Sequence, residues 1–115
     1  MPGCGAVDII FKDDALERLC TEERVAKKKL GTKSAKKLLA RLADLMAAER
    51  MIDVVFGRPH QLKGDLAGCM AFDLDKGCRL VVEVANDPVP ARDDGGIDWA
   101  CVDTVRVVFI GDYHD

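Results

Sequence analysis

Apolar side chains recur along the chain with different periods, and each period predicts an element. Val7, Ile9 and Phe11 alternate with Asp8, Ile10 and Lys12, which suits a short strand. Asp14 followed by Glu17 has the form of an Asp-led capping box and predicts a helix through about Leu30. Its apolar face, Leu16, Leu19, Cys20, Ala26 and Leu30, is ragged. Gly31 is placed to end this helix, and Thr32 or Ser34 to cap the next. The second helix is the clearest element. Ala35, Leu38, Leu39, Leu42, Leu45 and Met46 recur at helical spacing through about Arg50, opposite Lys36, Lys37, Arg41 and Asp44. So short a turn between two helices predicts an antiparallel hairpin.

Past Arg50 the period changes. Met51 to Pro59 reads as a connection, with Gly57 and Pro59 as breakers. Three strand-like runs follow, Gly68 to Leu74, Arg79 to Ala85 and Thr104 to Ile110. Asp75-Lys76-Gly77 predicts a tight turn that pairs the first two as a hairpin. In the second run Leu80, Val82 and Val84 face one way, and Arg79, Val81 and Glu83 the other. The segment NDPVPARDDGGID between the second and third runs is rich in Pro, Gly and Asp and predicts an exposed loop. The expected fold is α+β, an N-terminal strand and a two-helix hairpin packed on a small, mainly antiparallel sheet.

With 115 residues, 49% hydrophobic and 32% charged, the chain suits one domain over 1–115 and excludes disorder and low complexity. No apolar run approaches the roughly 18 residues of a membrane span. MPGCGAVDIIFKDD has no basic n-region, so a cytoplasmic protein with no membrane partner is expected. The five cysteines, Cys4, Cys20, Cys69, Cys78 and Cys101, form no CxxC pair and read as reduced structural thiols. Neither a metal nor a cofactor is expected.

Charge adds what periodicity does not show. The net charge of −3 conceals a segregated distribution. Arg24, Lys27, Lys28, Lys29, Lys33, Lys36, Lys37 and Arg41 follow one another with no acid between them. Asp87, Asp93, Asp94, Asp98 and Asp103 cluster against Arg92 alone. A run of lysines on a helix is most often a solvated face, so binding to a polyanion needs a second signal.

Two short motifs supply one. His60 lies in RPHQLKGDL and His114 in the C-terminal IGDYHD, so together they hold both histidines and the only tyrosine, Tyr113. Lys63 precedes the first strand of the meander and Asp112 follows the last. If these strands neighbour one another, imidazole, phenol, carboxylate and ammonium converge into a set able to transfer protons and stabilise charge at a phosphodiester. No Gly-x-Ser-x-Gly and no P-loop is present.

The order of two helices, RPHQLKGDL, CRLVVEVAND and IGDYHD resembles the RelE/ParE toxin superfamily, and within it the HigB-type branch of plasmid maintenance killer proteins. The likeness runs from about Val7 to His114. It implies a RelE-like fold and a ribosome-dependent mRNA endonuclease held in check by a cognate, HigA-like antitoxin. It also implies that His60, Lys63, Asp112, Tyr113 and His114 are functional and that Arg79 contacts the RNA backbone. The acidic loop Asn86 to Trp99 departs from the family pattern by its length and charge.

The chemistry implied needs no metal. The ribose 2′-oxygen attacks the adjacent phosphorus and the 5′-oxygen leaves. Lys63, an ammonium at neutral pH, suits charge neutralisation. His114 suits proton transfer, with His60 as a second acid or base. Asp112 would orient or tune His114 or itself take the 2′ proton, and Tyr113 would stack on a base or assist proton transfer. Arg24, Lys27, Lys28, Lys33, Lys36, Lys37 and Arg41 would position the protein on ribosomal RNA through phosphates. Two rival readings stand beside this one: a ParE-like gyrase inhibitor, and an inactive antitoxin-binding module.

Overall fold

The computed structural model describes residues 7–50, 59–62 and 68–112. Its elements run β1 (Asp8–Phe11), α1 (Asp14–Thr21), α2 (Glu23–Leu30), α3 (Thr32–Ala47), β2 (His60–Gln61), β3 (Cys69–Asp73), β4 (Cys78–Val84) and β5 (Thr104–Asp112). The five strands form one mixed sheet in the order β1-β5-β4-β3-β2. β1 runs parallel to β5 and every other pair is antiparallel. The expected α+β architecture is present.

The expected first helix is two. Asp13, one residue earlier than the predicted cap, accepts a hydrogen bond at 2.9 Å from the Leu16 N–H and starts α1. The backbone then leaves helical geometry at Glu22 (φ −118°, ψ 102°) with no glycine or proline to cause it. The break lets α1 pack on β1 and β5 while α2 turns to pack on α3. Gly31 (φ 88°) separates α2 from α3, because an L side chain rarely adopts that backbone. α3 ends at Ala47, short of the predicted Arg50, and the Ala48 carbonyl accepts from the N–H of Val7, just before the first strand, at 2.9 Å.

The β3–β4 hairpin forms as predicted. Lys76 (φ 49°) and Gly77 (φ 84°) both have positive φ, and the Cys78 N–H closes on the Asp75 carbonyl at 3.0 Å. Such turns match the twist of the flanking strands. The two faces of the sheet then diverge. One packs Phe72, Leu80, Val82, Val105 and Val107 against Leu16, Leu38, Leu42 and Leu45 of the helices. The other carries a smaller apolar cluster, Leu62, Cys69, Ala71 and Val81, with Val108 and Phe109 packed on it.

The acidic segment is less free than its composition predicts. Trp99 is buried in the main core at the start of a single 3-10 turn, and Ile97 packs on the same core. The Asn86 side chain closes the base of the loop, accepting from the Asp103 and Thr104 N–H groups and donating to the Asp103 carboxylate. Only the stretch between these anchors is a surface loop. The Met51–Pro59 connection falls, Pro59 apart, outside the described residues.

Candidate functional site

Residues directly opposite one another across antiparallel strands share a face, so the register shows which side chains meet. His60 lies opposite Ala71, Ala71 opposite Val81, and Val81 opposite Phe109. This row crosses the face that the helices leave uncovered. One row further along, Asp73 lies opposite Arg79. In the other direction, Cys69 lies opposite Glu83 and Glu83 opposite Arg106. An apolar floor containing Val81 and Phe109 is therefore flanked by an ion pair at each end, with His60 at its edge.

Both pairs are partly open to solvent. Arg79 Nε donates to Asp73 Oδ1 at 3.0 Å, and the two side chains are 29% and 27% exposed. Arg106 Nη1 donates to Glu83 Oε2. Pairs of this exposure add at most about 1 kcal/mol to stability. A β-bulge at Val81/Val82 takes up Val108, and it keeps Phe109 above Val81 and Arg106 above Glu83 on one face. Bulges of this kind re-aim side chains beside active sites. Periodicity placed Glu83 with Arg79, but not Arg106; the missing signal was the register, which no local pattern carries.

Asp112 occupies different surroundings. It lies opposite Cys78, in step with Leu80 and Ile110, and so belongs to the helix-facing side of the sheet. Burial raises the Cys78 thiol pKa, Ser34 lowers it by a hydrogen bond, and the Asp112 and Asp75 carboxylates raise it further. Ser34 Oγ donates to the Asp75 carbonyl at 3.4 Å, and Lys37 Nζ reaches the Leu74 carbonyl at 3.4 Å and Asp75 Oδ1 at 3.7 Å. The first turns of α3 thus pack on the β3–β4 turn beside Asp112.

The sheet does not bring His60 and Asp112 together: three strand spacings and opposite faces separate them. Lys63, Tyr113 and His114 lie outside the described residues. The chain leaves the described sheet towards Lys63 at Leu62, level with Cys69, and towards Tyr113 at Asp112, level with Cys78. Ladder geometry puts those two exits roughly 20 Å apart.

The basic segment forms the outer surface of α2 and α3. Arg24, Lys28, Lys33 and Lys36 are exposed and make no ion pair among the described residues. Lys27 pairs with Glu23 at 3.3 Å and Lys37 with Asp75. Arg41 is turned inward to Asp44 at 3.1 Å, with its side chain 18% exposed. No group of three or more His, Cys, Asp or Glu able to hold a metal ion occurs among the described residues. Nor is any described helix long and apolar enough to cross a membrane.

No protein-family model matches the chain, and no curated protein matches its sequence. Solved structures do. The YoeB/ParE toxin from Agrobacterium tumefaciens superimposes with a TM-score of 0.58 over 93% of this chain and 99% of that one, at 14% identity. The YoeB dimer from Staphylococcus aureus gives 0.55 over 96% and 100%, at 20% identity. The fold is that of the YoeB/ParE toxins. The S. aureus YoeB-YefM complex, at 19% identity and a TM-score of 0.54, covers 95% of this chain and 98% of its own. On this YoeB/ParE-type fold, the face away from the helices carries His60, the two arginine–carboxylate pairs and Phe109, and the helices carry the basic surface.

Proposed function

We propose that this chain is the toxin of a type II toxin–antitoxin pair and acts as a ribosome-dependent mRNA endonuclease of the HigB kind, working in the cytoplasm and neutralised by a HigA-like antitoxin. One observation carries the reading. On a fold shared with YoeB/ParE toxins, the sheet face away from the helices carries His60 at its edge and the pairs Arg79–Asp73 and Arg106–Glu83 at the two ends of a buried apolar floor packed with Phe109. Phosphates of a single strand suit the arginines, and its bases suit the phenyl and imidazole rings.

The reaction is internal to the RNA. The 2′-oxygen loses its proton and bonds to the adjacent phosphorus, the bond to the 5′-oxygen breaks, and that oxygen takes a proton. The products are a cyclic phosphate and a free 5′-hydroxyl. His114 is the candidate for proton transfer, with His60 as a second acid or base, and Lys63 and Arg79 neutralise the non-bridging oxygens. Asp112 orients or tunes His114 or itself takes the 2′ proton, and Tyr113 stacks on a base or assists proton transfer. The exposed cations Arg24, Lys28, Lys33 and Lys36, together with Lys27 and Lys37 of the same segment, position the protein on ribosomal RNA, whereas Arg41, held inward by Asp44, drops out of that set.

Primer extension on a translated message tests this reading. Induction of the wild type is expected to give new 5′ ends within codons. His114→Ala and His60→Ala are each expected to lose about 10²–10⁴-fold of that cleavage while the fold survives. Undiminished cleavage of a message lacking the 2′-hydroxyl at the scissile sugar would overturn the mechanism. Purified protein that stalls gyrase and leaves translated mRNA intact would replace it with the gyrase reading.

A further inference from the structure

Among the described residues, Phe109 is the one aromatic side chain on the sheet face away from the helices; Phe11, Phe72 and Trp99 pack in or against the helix-side core. Phe109 is half-buried, while Val81 opposite it is fully buried. Its ring leans along β5 towards the end of the strand. A Cβ placed on Gly111 would lie 3.3 Å from Phe109 Cζ, and 3.7 and 3.9 Å from the two ε carbons. The ring tip thus fills the space that a side chain at 111 would need. Glycine inside a strand weakens it and packs nothing, and it marks a place where another group comes close.

Gly111 lies directly opposite Arg79 on β4. Such neighbours are about 5 Å apart, so the ring tip and the guanidinium stand side by side. Arg79 Nε donates to Asp73 Oδ1 at 3.0 Å, which fixes the plane of the guanidinium. Covering Val81 calls for an apolar side chain, and a β-branched residue would serve a strand as well. It calls for neither a ring nor a glycine two residues further on. A phenyl ring laid beside a held guanidinium matches a different demand, that of one nucleotide: the cation meets its phosphate and the ring meets the π face of its base.

We propose that Phe109, Gly111 and Arg79 form a subsite for one nucleotide of a single strand, its base stacked on the Phe109 ring and its phosphate on Arg79. Phe109 and Arg79 touch the nucleotide. Gly111 and Asp73 are positioning residues that set the ring and the guanidinium next to one another. The subsite takes any base, because every base has a π face to offer. It lies one residue before Asp112, so a strand held there is held at the end of β5 that leads to Tyr113 and His114. Its place in strand cleavage rests on the endonuclease reading; nucleotide binding itself does not.

The test is an NMR titration of the full chain with a trinucleotide of 2′-deoxyadenosine, which lacks the attacking hydroxyl and stays whole. Saturable upfield shifts of the adenine H2 and H8 protons are expected, with a nuclear Overhauser contact to a phenyl ring. Phe109→Leu is expected to remove the upfield shifts and weaken binding about tenfold, with unchanged circular dichroism. Phe109→Tyr is expected to keep both and to move the Overhauser contact to tyrosyl protons, which assigns the ring even if the leucine variant fails to fold. Gly111→Ala is expected to weaken binding in the wild type and to add nothing in Phe109→Leu, a coupling that a merely structural glycine would not show. No saturable shift, or equal shifts from Phe109→Leu, would overturn the proposal. Message cleavage by the same preparation separates the two readings. Cleavage without stacking removes the subsite and keeps the nuclease, and stacking without cleavage does the reverse.

Discussion

Two side chains show how burial and exposure divide the labour between stability and function. Burial pushes the Cys20 thiol up to about 12 from 9.0. The unfolded chain therefore releases this proton near pH 9 and the folded chain only near pH 12. Stability from this group is complete below pH 9 and drains away as pH rises towards 12, at about 1.4 kcal/mol per pH unit. Urea unfolding across that range is expected to show a shallower alkaline loss for Cys20→Ala than for the wild type; parallel curves would remove Cys20 from the account. Arg106 is the opposite case. Its pair with Glu83 is more than one third exposed on both sides, so Arg106→Ala is expected to cost less than about 1 kcal/mol in thermal unfolding. If Arg106 meets a phosphate, the same substitution lowers message cleavage by about a hundredfold, measured by primer extension. A large loss of stability with unchanged cleavage would make Arg106 structural.

At the level of elements, legibility followed the range of the interactions. The β3–β4 turn was readable because Lys76 and Gly77 carry its geometry locally. α3 was readable because Leu38, Leu42 and Leu45 repeat with the helical period. The break at Glu22 was not, since Thr21-Glu22-Glu23 contains no breaker and the kink is set by what α1 and α2 pack against. β2 is two exposed residues, too short for any period to register. For the site, the motifs marked His60 and the family resemblance marked Arg79, but Arg106 is set on their face by register across four strands, and the same register puts Asp112 on the opposite face from His60. Glu22 also yields a prediction. It caps α2 without a side-chain hydrogen bond, so Glu22→Asp is expected to stabilise the protein by about 1 kcal/mol in urea unfolding. An unchanged midpoint would show that the Glu22 geometry has no room for the shorter cap.

For the molecule as a whole, the exposed cations on α2 and α3, which make no ion pair among the described residues, form one pole. The aspartates of the pinned segment after β4 form another, at the end of the sheet away from the β3–β4 turn where α3 begins. Reversing Lys28 and Lys36 to Glu is expected to weaken ribosome binding and to flatten its dependence on salt, measured by pelleting over a salt series. An unaltered salt slope would assign the cations to solvation alone. The order of strands has a temporal consequence as well. β5 lies between β1 and β4, so β1 has nowhere to pair until Thr104–Asp112 has left the ribosomal tunnel, and Arg106 arrives only with that strand. Before β5 emerges, only β2, β3 and β4 have one another to pair with, so the five-stranded sheet is completed last. A protein proposed to cut messages during their own translation is thus born without its finished cutting surface.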